Sequence, residues 1–197
     1  MDNPTIDFFD AQFRRQVVQA EFALNPFEQA ILPFASGRVL DLGCGLGNLA
    51  LAAARRGASV LAVDGSPSAV AHLAETARRE GLALTAVEAD VEAYTITEAF
   101  DTIVCIGLLM FFPWETAYRL LEEMESHLSP GGRLAVNVLV EGTTYLDMFS
   151  PGHYYLFGRD ELAKRFQSWD TLLSTRQGFE APGNTRKEFV TLVTRRA

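Results

Sequence analysis

Val39-Leu40-Asp41-Leu42-Gly43-Cys44-Gly45-Leu46-Gly47 is where residue type and spacing first suggest chemistry. The stretch passes from an apolar run through a G-x-G-x-G turn into an Ala/Leu-rich segment. Glycines at such a junction take positive φ and let the backbone approach a ligand closely. A glycine repeat alone is weak evidence, because dinucleotide sites also use one. Asp41 sharpens the choice. A dinucleotide site sets a pyrophosphate on the helix N-terminus, and a carboxylate two residues before the first glycine would crowd that anion. A phosphate-free ligand carrying cationic groups would instead welcome it. The plainer role for Asp41 is to order the turn.

Two further acids extend the pattern. Asp64 follows Asp41 by 23 residues and ends an apolar run, the position from which an acid meets ribose hydroxyls in many nucleoside sites. Its plainer role is to cap the helix that starts at Pro67, although Ser66 can do so. Asp90 stands in Glu88-Ala89-Asp90-Val91, after a third apolar run. Ligands of open α/β sheets lie across the carboxyl ends of the strands. Asp41, Asp64 and Asp90 therefore line one crevice, in an order that suits the methionine, ribose and adenine parts of S-adenosylmethionine. Cys44 in the loop, Gly65 and Val91 beside the second and third acids, and Ile106 at the end of a fourth run complete the candidate cofactor contacts with Gly43, Gly45 and Gly47.

The elements that must position these residues alternate. Strand-like runs at 38–42, 59–63, 82–87, 102–106 and 133–140 are separated by helical runs at 48–56, 67–80 and 114–128. Nearly continuous apolar strands between helices imply βαβ units and a parallel sheet covered on both faces. Residues 160–166 form a short helix. Segments 170–176 and 187–194 read as a hairpin with a long loop over 177–186, which holds Gly178, Pro182 and Gly183. The expected class is α/β: a doubly wound, mostly parallel, seven-stranded sheet with helices on both faces and a C-terminal antiparallel hairpin. Residues 1–197 read as one domain. It comprises a helical cap or lid at 1–35 (helical periodicity over 8–34), a cofactor core at 38–140 and an acceptor side at 141–197.

The stretch 38–140 resembles the core of class I S-adenosylmethionine-dependent methyltransferases. Asp41–Gly47 matches that family's first motif, Asp64 its ribose acid and Asp90 the acid near the adenine amino group. Phe100-Asp101-Thr102-Ile103-Val104 matches its fourth strand, and Leu128-Ser129-Pro130-Gly131-Gly132-Arg133-Leu134 the turn before its fifth. Leu109-Met110-Phe111-Phe112 and the C-terminal hairpin look like the tellurite-resistance methyltransferases, which methylate chalcogen oxyanions. That likeness implies a small anionic acceptor and a catalytic hairpin carrying a His-Arg pair. Here no histidine follows His153, and Gln177 stands near the expected position. Arg176 and Arg186 remain as candidate catalytic groups for an oxyanion, which wants guanidinium donors; Arg14 is a weaker one. His153, in an irregular stretch, is the candidate acid–base group. Phe111, Phe112, Trp114, Tyr154, Tyr155 and Phe157 read either as packing or as a wall that stabilises a sulfonium by cation–π contact. Of these, Phe111 and Phe112 are favoured for the wall and Trp114 for stapling its helix.

Composition bounds the alternatives. Apolar residues make up 48% and the formal net charge is −8, which suits a globular domain and disfavours phosphate-backbone binding. The Ile106-Gly107-Leu108-Leu109 run lacks the polar-Pro-Pro-aromatic loop of amino-methylating DNA enzymes. Arg55–Arg56 and Arg78–Arg79 read as helix-end charges facing water. Cys44 and Cys105 have no C-x-x-C partner and read as buried free thiols. No metal site is expected. Residues 1–10 carry no basic or apolar leader and no run is long enough to span a membrane, so a cytoplasmic monomer or homodimer is expected. The remaining alternatives are a methyltransferase for an organic thiol or phenol, a nicotinamide-dependent dehydrogenase, and a non-catalytic S-adenosylmethionine-binding module.

Overall fold

The structure is a computed structural model and describes residues 4–19 and 22–196. Seven strands form one sheet: β1 (Arg38–Leu42), β2 (Ser59–Asp64), β3 (Leu84–Glu88), β4 (Phe100–Ile106), β5 (Leu128–Leu139), β6 (Asp170–Ala181) and β7 (Thr185–Arg195). The order is β3-β2-β1-β4-β5-β7-β6. The first five are parallel, and β7 runs antiparallel between β5 and β6. This is the expected doubly wound sheet with its C-terminal hairpin.

Strand alternation sends successive side chains to opposite faces, and both faces are apolar. Leu40, Leu42, Ile103 and Val136 pack on one side, against α5 (Trp114–Ser126) and α6 (Glu161–Arg165). Val39, Ala62, Val104 and Ala135 pack on the other, against α2 (Pro26–Ile31), α3 (Asn48–Arg55) and α4 (Pro67–Glu80). A further helix, α1 (Pro4–Gln19), contacts α4. Among the described residues, no helix is long and apolar enough to cross a membrane.

Several boundaries differ from the sequence reading for identifiable reasons. The helical run 8–34 divides into α1 and α2 because Asn25 caps a new helix with Pro26 at its first position; residues 20 and 21 lie outside the described set. The third strand begins at Leu84, since the Leu82 N–H closes α4 by donating to the Ala77 carbonyl at 3.0 Å. The fifth begins at Leu128, ahead of the Pro-Gly-Gly run, because Leu128 already pairs with Phe100. The hairpin loop is short. Strand pairing continues through Gly178 to Ala181, opposite Thr185. Gly183 and Asn184 then turn the chain at φ 73° and 58°. Cys105 is buried as expected, whereas Cys44 is half-buried; both are free thiols.

Candidate functional site

A cavity of about 1240 Å³ opens at the carboxyl ends of β1, β2 and β4. Its floor is the glycine loop. Gly43, Gly45 and Gly47 take φ of 72°, 53° and 70°, a region open to glycine and strained for other residues. The amides of Gly43 and Cys44 donate to the Val63 carbonyl at 2.8 and 3.1 Å, tying the loop to β2. Asp64 binds the same loop from its other side. One carboxylate oxygen accepts from the Gly45 amide at 2.7 Å, and the other accepts from the Ser66 amide at 2.8 Å. Ser66 caps α4, accepting from the Ala69 amide.

Asp41, Gly43, Cys44, Gly45, Asp64, Gly65, Asp90, Val91 and Ile106 all line this cavity. Gly47 does not. It is the left-handed cap of α3, and a Cβ there would meet Leu73 at 2.5 Å. Its requirement for glycine comes from its left-handed backbone and from helix packing.

The cavity is acidic at this end. Asp41 is 4% exposed; burial, with Glu28 and Asp64 nearby, pushes its carboxyl up to about 8. Burial also raises Asp64 despite the amides that donate to it. Glu28, absent from the sequence reading, lines the cavity too. It sits in the first turn of α2, where its side chain accepts from the Asn25 amide at 2.7 Å and burial raises its pKa. The Asn25-Pro26-Phe27-Glu28 capping box marks a helix start and carries no sign of where that helix will lie. Asn137 on β5 is the other addition. Its Nδ2 donates to Thr191 Oγ1 at 2.9 Å, while its buried Oδ1 has no partner among the described residues. A buried carbonyl acceptor without a donor is costly, and Asn137 borders the cavity. Carboxylates and an unsatisfied acceptor around one cavity fit a ligand that brings hydroxyls, an ammonium and a sulfonium. They do not fit a pyrophosphate.

The roof is α1. Phe13 lies 3.0 Å from where a Cβ on Gly45 would be, and Ile6 lies 2.7 Å from one on Gly65. Both glycines thus leave room for this helix as well as for a ligand. Asp10 anchors it: its carboxylate accepts from Ser66 Oγ and Ser68 Oγ, each at 2.6 Å, and pairs with Arg14 at 2.7 Å. Arg14 is therefore engaged on the roof and does not line the cavity.

The far end of the cavity is apolar. Met110, Phe111 and Phe112 follow β4, and Met148, His153 and Phe189 close the opposite side. Phe111 contacts Phe9 of the roof at 5.1 Å, and Phe27 contacts Phe189 at 4.6 Å. Trp114 is 48% exposed against Tyr118, and Phe157 is core. The hairpin arginines stand elsewhere. Arg176 pairs with Asp160, and Arg186 with Glu188 at 2.8 Å and Glu180 at 3.7 Å. Neither lines the cavity. Both side chains are exposed on the hairpin. The hairpin instead contributes Lys187 and Phe189. No group of three metal-ligating side chains occurs among the described residues.

A family model described as a methyltransferase domain matches residues 39–132, from the glycine loop to the turn in β5. The chain belongs to the class I S-adenosylmethionine-dependent methyltransferases. S-adenosylmethionine is the cofactor of this family, and the acidic lining of the cavity suits its ammonium and ribose hydroxyls. A probable S-adenosyl-L-methionine-dependent methyltransferase TehB of Haemophilus influenzae is 30% identical over 136 residues, covering 68% of this chain and 46% of its own. A protein named Hemagglutinin 1 from Eikenella corrodens is 32% identical over 151 residues, covering 75% of this chain and 49% of its own. The chain thus spans about half the length of these curated relatives. The crystal structure of TehB from Haemophilus influenzae shares the fold, with a TM-score of 0.74 and 24% identity. That match covers 89% of this chain and 63% of the other.

Proposed function

We propose that this chain transfers a methyl group from S-adenosylmethionine to a small soft nucleophile seated among Phe111, Met148 and Phe189. The supporting observation is the polarity of one continuous cavity, acidic over the glycine loop and apolar beyond β4. When bound, the cofactor supplies an electrophilic methyl on a cationic sulfur that departs as a neutral thioether. Asp64 is assigned to the ribose hydroxyls, Asp90 to the adenine end, and Asp41 with Glu28 to the ammonium. Phe111 and Phe112 exclude water and face the sulfonium with aromatic rings. The protein's work is alignment. His153, on the acceptor side, is assigned the proton of an acceptor that arrives protonated.

An organic thiol suits the apolar end better than the bare oxyanion that the tellurite-resistance resemblance implies. The two hairpin arginines that an oxyanion would call on do not line the cavity, and they pair with Asp160, Glu180 and Glu188. Label transfer from methyl-labelled S-adenosylmethionine to tellurite, selenite, benzyl mercaptan and phenol tests this reading. The thiol is expected to take the label fastest. Labelling of tellurite alone would return the acceptor to the oxyanions. Cofactor binding without transfer to any acceptor would leave a binding module.

A further inference from the structure

Lys187 is the single lysine or arginine among the described residues that line the cavity, whereas Glu28, Asp41, Asp64, Asp90 and Glu92 line it as acids. No carboxylate lies within ion-pair distance of Lys187 among the described residues; its ammonium stands 4.6 Å from the centre of the Tyr145 ring. It is half-buried, and that burial lowers its pKa. A cation drawn partly out of water without a counter-charge is costly. Tyr145 offsets part of that cost by cation–π attraction, and an anion arriving in the cavity would offset more.

The cofactor's own carboxylate is poorly placed to be that anion. In the strand order, Lys187 on β7 stands three strand positions from Asp41 on β1, with β4 and β5 between them. At the usual strand spacing this is about 14 Å across the sheet. The cofactor's carboxylate is carried on the same carbon as its ammonium, so it stays on the β1 side of the cavity when Asp41 holds the ammonium. Phe27, Phe189, Met148 and Phe111 line the same cavity. A ligand filling that space needs an apolar body.

We infer that Lys187 anchors the anionic tail of the methyl acceptor, which is an organic acid with an apolar body and a soft nucleophile at its other end. This rests on the methyltransferase reading and adds the acceptor's class. Two matched probes test it, 4-(mercaptomethyl)benzoate and benzyl mercaptan, which differ by one carboxylate. Each is titrated calorimetrically into the protein saturated with S-adenosylhomocysteine, and again into the protein alone. The acid is expected to bind at least tenfold more tightly than the neutral thiol. Lys187→Met should erase that ratio and leave neutral-thiol and S-adenosylhomocysteine affinities within about twofold; Lys187→Arg should restore much of it. A loss of folding would not mimic this, since it would also abolish the neutral-thiol and S-adenosylhomocysteine binding.

Equal binding of the two probes, binding of neither, or a preference that survives Lys187→Met overturns the inference. So does tellurite binding as tightly as the acid, which would make the site one for bare oxyanions. A loss of S-adenosylhomocysteine affinity in Lys187→Met would reassign the lysine to the cofactor's carboxylate and also overturn it. Failure of the methyltransferase reading looks different: no cofactor binding, with a Lys187-dependent preference for the acid still measurable in the protein alone.

Discussion

At the scale of single residues, Asp64 joins two tasks, holding the Gly45 amide at 2.7 Å and facing the cavity. Replacing it with alanine should weaken S-adenosylmethionine binding by about 1.5–3 kcal/mol, the range for hydrogen bonds to a charged group. Ser66 keeps the cap of α4, so the thermal midpoint should fall only slightly; unchanged affinity in the folded variant would reject the ribose assignment. Arg176 and Arg186 lead to the opposite expectation. Both arginines are themselves exposed, and exposed ion pairs contribute about 0–1 kcal/mol. Arg176→Ala and Arg186→Ala should each leave label transfer within about twofold, and a tenfold loss would restore them to the acceptor site. The glycine-loop acids were legible because strand, turn and helix are consecutive there, so local sequence determines where Asp41 points. Glu28, Asn137 and Lys187 were not legible. Each reaches the cavity through the packing of α2, β5 or β7 against other elements, and no local spacing encodes that.

At the scale of elements, the roof helix depends on a few polar contacts. Burial opposes the charge on Asp10, but hydrogen bonds from Ser66 and Ser68 and the Arg14 guanidinium outweigh it and hold the carboxyl at about 2. Because this pKa lies below the ordinary aspartate value of 3.8, the stabilisation is fully present above that value and fades as pH falls toward 2. Asp10→Ala should loosen α1 alone, speeding exchange of its amides by ~10- to 100-fold while β1, β4 and β5 stay protected. Exchange in α1 that does not change would show that Phe9 and Phe13 suffice to hold it. The central strands were readable from their apolar runs. The hairpin ends were misjudged because Gly178 looks like loop, yet its neighbours Gln177 and Phe179 pair with Phe189 and Lys187. Cross-strand pairing overrode local propensity there.

At the scale of the whole molecule, a chain of net charge −8 concentrates acids over its glycine loop and leaves an apolar chamber with one lysine beyond them. With its carboxyl pushed up to about 8, Asp41 carries a proton at neutral pH before the ligand arrives. A cation beside it favours the carboxylate, so binding S-adenosylmethionine must expel that proton. Affinity should therefore rise with pH over the range below about 8. The most direct test is a calorimetric titration of S-adenosylmethionine at pH 7 in two buffers of different ionisation enthalpy. The expected result is one site per chain with about one proton released on binding, a release that Asp41→Asn abolishes. Binding with no proton released, or no binding of S-adenosylmethionine where NAD binds instead, would contradict the account.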